Sequence, residues 1–528
     1  MNVLVHMSAV ERVGECCERV ECVVCCSASL RWYSRQPQFV LTDHMAEMFS
    51  ALPSHDHGGG AVHEVCHARM EPSPALAAAS PYVNITNHRW CSSAWLSPRW
   101  TSLCARIQHE WAKGAGVVHF ALNSRVQQEH QMALTGYPRA HIGNAGDTLL
   151  PVATRMAFAH FLGHPRWVLS ELFRSEPEEV RKCNQPRVVA CMVGGGGLFY
   201  PMTLSRASQQ NISGWQWKVD SKELSALTRP LFVFAVGWNE FRNQSKYNPE
   251  FEAAFHRSLA TILSKPYNLM RLRESYSIKA IQAQLKPWHA HRVLYQPCAT
   301  TLLGALQPCL ASRSLLDPHS KVLSINFAAD QLPLRVGSQD EQNVLLKQLL
   351  AFAQYAHESG WTIHLTDQSL RDDEALEAMA RAEGAKFPYM RILISSLRTP
   401  AEILEYYRGV TVAVSMRGHG IMIPFGLHCA TISLVSHEKV AAFINDIKHP
   451  EWGVEVTIRK RSDGGAGIAR ELVDQLASID QNRTRIYQQI RDAQAELMKV
   501  TQENMLTFGE HILDGADRKW RWPSMESE

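Results

Sequence analysis

The segment SMRGHGIMIPFGL, residues 415–427, places an arginine and a histidine at the end of an apolar run. A guanidinium grips phosphate and carboxylate groups through paired hydrogen bonds. An imidazole can transfer a proton near neutral pH. Burying such groups is unfavourable without a partner, so we expect Ser415, Arg417 and His419 to face an anionic ligand. Capping or packing at a helix start is the alternative role of His419.

Three further segments place glycine, amide or charged residues after predicted strands. Glycines at a strand-to-helix turn let backbone N–H groups approach an anion. No Walker lysine and no strict GxGxxG accompanies the glycines, so a tight turn without a ligand is the alternative, and Asp147 could instead cap a helix. The candidates are Asn144, Gly146 and Asp147 in GNAGD, Gly195 and Gly196 in the run 194–197, and Arg273 in LRESYS.

Two arginines in opposite halves of the chain, Arg273 and Arg417, could close on one small dianion that carries a carboxylate and a phosphate. His437 and Lys439 begin another predicted helix directly after a strand. They add polar and positive groups to the same edge, because ligands of open parallel sheets bind beyond the carboxyl ends of the strands.

The elements that must position these residues alternate between strand and helix, which predicts parallel sheets with right-handed crossovers. Two such series predict two Rossmann-like domains that face each other across a cleft. We expect an N-terminal extension over 1–110, domains over 111–300 and 301–465, and C-terminal helices over 466–528. The predicted strands are 116–122, 187–193, 230–238, 321–328, 361–366, 410–415 and 429–436, and the predicted helices include 141–163, 249–264, 339–360, 372–384, 401–409, 419–427, 437–447 and 466–513.

The composition is that of an ordinary soluble globular protein. The chain has 528 residues, and its 54 Lys and Arg against 51 Asp and Glu leave a net charge of +3, too balanced for a nucleic-acid footprint. No apolar run approaches the length of a membrane helix, and the first residues lack the form of a secretory signal. The 13 cysteines are odd in number and scattered, which favours a reducing, cytoplasmic location.

The first 110 residues differ from the rest by their clusters of cysteine and histidine. Metal binding and acylation of the clustered cysteines are two interpretations. A poorly ordered extension, or translated sequence upstream of a later start at Met45 or Met70, is the third. The candidate metal ligands are Cys22, Cys25, His55, His57, His63, Cys66 and His67.

Taken in order, GNAGD, VGGGGLF, LRESYS, SMRGHGIMIPFGL and TISLVSHEKVAAFINDI resemble the motifs of the polysaccharide pyruvyl transferase family over about residues 115–450. The resemblance implies a two-domain, GT-B-like fold and transfer of pyruvate from phosphoenolpyruvate, as co-substrate, to a sugar of a surface or extracellular polysaccharide, forming a ketal. The chain departs from the family at Gly418, where leucine is usual, and at SHEK, where a Tyr-Asp-x-Lys type is common.

The resemblance also implies roles for the candidate residues. Arg417 and Arg273 would hold the anionic donor, His419 would act as acid or base, and Asp147 would serve the acceptor or act as base. Asn144, Gly146, Gly195, Gly196 and Lys439 match further motif positions. No metal or other cofactor is implied, nor any nucleic acid, and a lipid-linked acceptor would bring the protein to a membrane surface. A nucleotide-sugar glycosyltransferase and a non-catalytic glycan-binding relative are the alternatives, and the acceptor sugar and the oligomeric state stay open.

Overall fold

The computed structural model describes residues 98–121, 144–172, 177–199, 213–241, 249–369, 372, 374–385, 387–396 and 400–517. The cysteine and histidine clusters before residue 98 lie outside these ranges, so their interpretations stay predictions. Within the described ranges, no group of three or more His, Cys, Asp or Glu side chains is placed to hold a metal ion. No helix there is long and apolar enough to cross a membrane.

The first domain is built on a parallel sheet of six strands in the order β2-β1-β3-β4-β5-β6. Its central strands are apolar and buried, as expected for a sheet covered on both faces by helices. The order of the strands reverses between β1 and β3, which opens a crevice at their carboxyl ends. The strands are β1 (Gly116–Ala121), β2 (Arg166–Glu171), β3 (Val188–Phe199), β4 (Leu231–Trp238), β5 (Leu269–Leu272) and β6 (Val293–Tyr295).

The second domain repeats this construction with six parallel strands in the order β9-β8-β7-β10-β11-β12. This is the 3-2-1-4-5-6 order of the Rossmann fold, whose reversal point lies here between β7 and β10. The strands are β7 (Val322–Asn326), β8 (Thr362–Asp367), β9 (Tyr389–Leu393), β10 (Val412–Ser415), β11 (Ala430–Val435) and β12 (Gly453–Glu455). The predicted α/β class with two Rossmann-like domains is therefore confirmed.

Helices connect the strands and cover the sheets. Most lie within a few residues of the predicted ranges, because their apolar residues recur at helical spacing. The helices are α1 (Pro98–Ala112), α2 (Ala145–Leu162), α3 (Pro177–Arg181), α4 (Ser221–Ser225), α5 (Pro249–Ser264), α6 (Ser275–Gln282), α7 (Pro287–Ala290), α8 (Leu303–Leu306), α9 (Leu332–Arg335), α10 (Gln339–Glu358), α11 (Glu374–Ala382), α12 (Pro400–Arg408), α13 (Gly418–Gly426), α14 (Glu438–Asp446), α15 (Ile468–Gln481) and α16 (Arg483–Asp517).

The long C-terminal helix α16 contacts both domains through buried polar side chains. Asn504 accepts a hydrogen bond from Arg271 at 2.8 Å and donates to the carbonyl of Tyr295, also at 2.8 Å, both in the first domain. Gln494 pairs with His428 of the second domain at 2.7 Å. A buried amide without a partner is unfavourable, so these contacts fix the helix against both domains and hold the domains to each other.

The glycine run 194–197 corrects one expectation, that a strand turns there into a helix. β3 instead continues through the glycines to Phe199, with an irregular register against β4. Gly195 and Gly196 have φ values of 77° and 86°, a conformation that side chains disfavour. A Cβ on Gly195 would also lie 2.4 Å from Leu150 of α2. The glycines therefore permit a bulge and close helix packing.

The cysteines also differ from the expectation of reduced thiols, because Cys183 and Cys191 form a disulfide between residues eight apart in sequence. Cys298 and Cys429, in contrast, are buried thiols. Within the described ranges the disulfide is confined to this pair, whereas the sequence argued against a framework of several disulfides.

Candidate functional site

A cavity of about 290 Å³ lies between the two domains, at the carboxyl ends of their strands. The helices α2, α6, α13 and α14 begin beside the cavity, next to the lining residues Asn144, Arg273, Arg417 and Lys439. The partly positive N-terminal ends of helices favour anions. The residues lining the cavity are Asn144, Asp147, Gly197, Gln216, Asn239, Phe241, Arg273, Asp330, Arg335, Gln368, Ser369, Arg417, Gly418, His419 and Lys439.

Residues 144–147 of the GNAGD motif form the start of α2, and the structure gives a local reason for their types. The Asn144 side chain accepts hydrogen bonds from the backbone N–H groups of Gly146 and Asp147, at 2.9 and 3.4 Å, so the helix cap is Asn144 and not Asp147. A Cβ on Gly146 would lie 2.0 Å from Nδ1 of His419. Gly146 therefore lets the imidazole of the second domain reach the start of α2 in the first domain.

Asp147 does not cap the helix; it lies in the first turn of α2 and lines the cavity. Burial raises the pKa of this carboxyl to about 6, although Lys439, Arg417 and Arg273 each lower it. A carboxyl with a pKa near the working pH can both give and accept a proton. Asp147 is therefore the best-placed acid or base among the carboxyl groups of the cavity.

Arg273 enters the cavity from the end of β5 and is nearly fully buried. Its Nε donates to the carboxylate of Glu274, which also accepts from the Ser277 hydroxyl at 2.6 Å. Burial opposes the charge of Arg273, but the contact with Glu274 raises the pKa of the guanidinium above its usual value. Among the described residues, Nη2 of Arg273 has no hydrogen-bond acceptor, so this arginine keeps an unused donor.

Arg417 is more heavily paired than the sequence indicated. Nε and Nη2 both donate to the buried carboxylate of Asp372, and Nη2 also lies 2.6 Å from the carboxylate of Asp330. Burial lowers the pKa of Arg417, but the two carboxylates outweigh it and raise the pKa above its usual value. The arginine that the motif singled out is thus held by two internal anions.

His419 occupies the first turn of α13, with its Nε2 3.8 Å from the thiol of Cys298. Burial lowers the pKa of this imidazole to about 3, and the positive charges of Arg273 and Lys439 act in the same direction. The ring is therefore neutral at pH 7 in the unliganded cavity. A bound anion would favour its protonated form.

Lys439 reaches the cavity from the start of α14 and donates to Oδ1 of Asn239 in the first domain at 2.7 Å. Burial lowers the pKa of its amine to about 7, helped by Arg273, Arg335 and Arg417, while Glu274 acts in the opposite direction. The lysine therefore titrates near neutral pH and would gain its full charge when an anion binds.

Five of the candidate residues do not line the cavity. One is Gly146, which packs against His419. The Ser415 hydroxyl donates to Asn326 at 2.7 Å and accepts from the backbone of Arg417 at 3.0 Å, so it orients the Arg417 backbone. His437 caps α14 through the backbone N–H of Lys439. Gly195 and Gly196 shape the bulge in β3. The structure brings Asn144, Asp147, Arg273, Arg417, His419 and Lys439 together around the cavity.

Several lining residues were not predicted, although the same strand-end reasoning could have found them. Asp330 and Arg335 follow β7, and Asn239 follows β4 directly. Asp372, which holds Arg417, comes shortly after β8. What these residues share in the sequence is a polar or charged side chain within about ten residues after a buried strand. Without a recognised motif beside it, this pattern is too common to identify a site.

These features define the class of protein, a GT-B-like pair of Rossmann-like domains with a cation-rich cavity at their reversal points. The family model for polysaccharide pyruvyl transferase matches residues 144–438. This range covers more than half of the 528 residues, and the chain belongs to that family. The match starts at Asn144 and ends one residue before Lys439.

No curated protein matches the sequence. Solved structures with some similarity include a putative UDP-N-acetylglucosamine 2-epimerase from Listeria monocytogenes, with 9% identity, 72% of this chain and 91% of that chain covered, and a TM-score of 0.39. MnaA from S. aureus, in complex with UDP, has 12% identity, the same two coverages and a TM-score of 0.38. The wall teichoic acid polymerase TagF has 10% identity, coverages of 80% and 95%, and a TM-score of 0.38. At such TM-scores the similarity supports no conclusion about function.

Proposed function

We propose that this protein transfers pyruvate from phosphoenolpyruvate to a sugar of a surface or extracellular polysaccharide and forms a cyclic ketal. The observation that carries the proposal is the convergence of Arg273 from the first domain and Arg335, Arg417 and Lys439 from the second on one small cavity beside Asp147. Cations from both domains suit a donor with two anionic groups, and membership of the pyruvyl transferase family supports the same donor.

The reaction needs proton transfer and charge stabilisation but no redox step. One sugar hydroxyl adds to C2 of phosphoenolpyruvate while the methylene carbon gains a proton and becomes a methyl group. A second hydroxyl of the same sugar then displaces phosphate and closes the ketal. Of the two hydroxyl protons, one is balanced by the new methyl hydrogen and the other leaves with the phosphate, so atoms and charges balance.

The cavity residues divide these tasks between them. Arg273 and Lys439, together with the arginines of the second domain, bind the carboxylate and the phosphate of the donor and stabilise the departing phosphate. Asp147 carries the proton, because a nearby dianion raises the pKa of its carboxyl further and keeps it protonated until the donor reacts. His419, neutral in the free cavity, donates or accepts a hydrogen bond at the reacting oxygen.

The size of the cavity favours a small donor over a nucleotide-sugar. Pockets for drug-sized ligands span about 300–1,000 Å³, and this one, at about 290 Å³, is at the lower limit. The acceptor sugar then approaches from the open side between the domains. If the acceptor is lipid-linked, the protein works at a membrane surface.

The test is acceptor-dependent release of phosphate from phosphoenolpyruvate by the full-length protein. A panel of galactosyl and N-acetylmannosaminyl acceptors is supplied, and the product is examined by NMR for the methyl signal of a pyruvate ketal. UDP-sugars replace phosphoenolpyruvate in a parallel assay. Before the assay, a thermal-shift screen identifies the donor, since a ligand at 100 times its Kd stabilises the protein by about 2.7 kcal/mol.

Asp147→Asn tests the assignment of the site within that assay. Loss of a general acid or base lowers turnover by about 10²- to 10⁴-fold, and the amide keeps the shape of the carboxyl. Asp474→Asn, on the exposed face of α15, is the matched control and should be fully active. Release of nucleotide from a UDP-sugar without phosphate release from phosphoenolpyruvate would replace the proposed donor. Full activity of Asp147→Asn would remove Asp147 from the mechanism.

A further inference from the structure

The guanidinium groups of the cavity each have a carboxylate partner. Arg273 pairs with Glu274, Arg417 with Asp372 and Asp330, and Arg335 also with Asp330. Three positive charges are therefore matched by three negative charges. Lys439 and the Asp147 carboxyl also line the cavity and carry opposite charges when ionised. A dianion entering this cavity would meet little net attraction unless one of the carboxylates moved away.

Asp330 differs from the other carboxylates in its exposure to water. Its side chain is 47% exposed, whereas that of Asp372 is 0% exposed. Asp372 accepts further hydrogen bonds from backbone N–H groups of Gln368 and Ser369. The described structure gives the Asp330 carboxylate only the two arginines as hydrogen-bonding partners. Asp330 can therefore turn into water without leaving a backbone donor unpaired.

The Asp330 carboxylate bridges two guanidinium groups in the manner of a bound anion. Oδ1 lies 2.6 Å from Nη2 of Arg417, and both oxygens lie 3.2 Å from Nη2 of Arg335. Carboxylate and phosphate oxygens of ligands accept the same charge-assisted hydrogen bonds from arginine N–H groups. The position of this carboxylate thus marks an anion subsite at the reversal point between β7 and β10.

Arg335 remains in place independently of that carboxylate. Its Nε donates to the backbone carbonyl of Asp330 at 2.9 Å, and its guanidinium lies 4.8 Å from the centre of the Phe241 ring. The side chain is only 3% exposed, and its Nη1 has no acceptor within the described ranges. A buried guanidinium with an unused donor is prepared to receive a further anionic oxygen.

We propose that Arg335 and Arg417 form an anion subsite, that Asp330 fills it as an internal counter-ion, and that an anionic group of the substrate replaces the Asp330 carboxylate. Displacement releases Nη2 of Arg335 and Nη2 of Arg417 from Asp330, while Arg417 stays paired with Asp372. It raises the net charge of the cavity by one unit. The subsite goes beyond the proposed function, on which it rests only for the identity of the anion as the carboxylate or phosphate of the donor.

The test measures binding of inorganic phosphate to the full-length protein by calorimetry, because phosphate binding does not require turnover. Asp330→Asn should bind phosphate about tenfold more tightly, since a competing charged partner is removed. Arg335→Gln should bind it about tenfold more weakly. Asp340→Asn, an exposed carboxylate of α10 in the same domain, is the matched control and should bind as the unchanged protein does. Asp330→Ser serves as a second variant should the amide disturb folding.

Unchanged or weaker phosphate binding by both Asp330 variants would overturn the proposal, as would unchanged binding by Arg335→Gln. These outcomes are separate from those of the pyruvyl transfer assay. Tighter binding by Asp330→Asn in a protein that releases no phosphate from phosphoenolpyruvate would support the subsite and remove the proposed reaction. If the protein turns over phosphoenolpyruvate but substitution at Asp330 leaves the phosphate affinity unchanged, the proposed reaction is supported and the subsite is removed.

Discussion

The two domains each contribute an arginine at the end of a buried strand, yet the two arginines are held differently. Arg273 of the first domain pairs with the adjacent residue Glu274, which has one further donor, the Ser277 hydroxyl. Arg417 of the second domain pairs with Asp372 and Asp330, which are distant in sequence. An arginine near the end of a buried strand therefore has a different set of available donors in the two domains, and its carboxylate partners decide whether it can bind a ligand.

The largest expected effect is a loss of folding stability when each of the two arginines is replaced in turn. In Arg273→Met, the buried Glu274 keeps only the Ser277 hydroxyl, and a broken buried ion pair costs about 3–5 kcal/mol. In Arg417→Met, Asp372 keeps hydrogen bonds from Asn326 and from backbone N–H groups. We therefore expect the free energy of unfolding to fall by only about 1–3 kcal/mol. Urea unfolding followed by fluorescence and by circular dichroism measures both.

A second substitution sharpens this comparison. Adding Glu274→Met to Arg273→Met removes the uncompensated charge and should restore much of the lost stability. Arg470→Met, whose side chain is 89% exposed, should leave the urea midpoint unchanged. An equal loss in Arg273→Met and Arg417→Met would show that the number of remaining donors does not control the stability of the two carboxylates.

The next effect concerns one glycine from each side of the cavity. A Cβ at Gly146 of the first domain would lie 2.0 Å from the His419 ring, whereas a Cβ at Gly418 of the second domain has its nearest neighbour, Cε of Lys439, at 3.9 Å. Gly146→Ala must displace the imidazole, and a displacement of about 1 Å can lower kcat/KM about 10²-fold. Gly418→Ala should change kcat/KM by less than about twofold. Phosphate-release kinetics measure kcat/KM for both variants. A similar loss of kcat/KM in the two variants would contradict the open space beside Gly418.

The smallest expected effect is a pH dependence of anion binding. It distinguishes the titration of Asp147 in the first domain from that of Lys439 in the second. Burial lowers the pKa of Lys439 to about 7 and raises the pKa of Asp147 to about 6. A bound dianion favours the protonated form of both groups, so binding takes up protons and affinity falls as the pH rises from 6 to 8. Each proton contributes at most about a tenfold change per pH unit.

Sulfate is the suitable probe for this experiment, because its charge is constant over that range. Lys439→Met should bind sulfate more weakly and with a flatter profile above pH 7. Asp147→Asn should flatten the profile near pH 6. A sulfate affinity that does not change with pH in the unsubstituted protein would refute the assignment of both pKa values.

Much of the fold could be predicted from the sequence, because buried parallel strands are nearly continuous apolar runs. The strands β1, β4 and β10 and the helices α5 and α10 lie close to their predicted ranges. The short edge strands β6 and β12, three residues each, were not predicted, since so few residues show no periodicity. The glycine run was misjudged because glycine fits a bulge within a strand as well as a turn.

By itself, the sequence determined the alternating α/β pattern, the positions of the strand ends and the residue types that cluster there, because these depend on neighbouring residues. Only the tertiary structure decided that Asn144 and not Asp147 caps α2, that Asp147 has a pKa of about 6, and that Asp330 and Asp372 occupy Arg417. Burial and ion pairing depend on contacts between residues far apart in the chain, so the state of each charged group is set only when both domains are assembled.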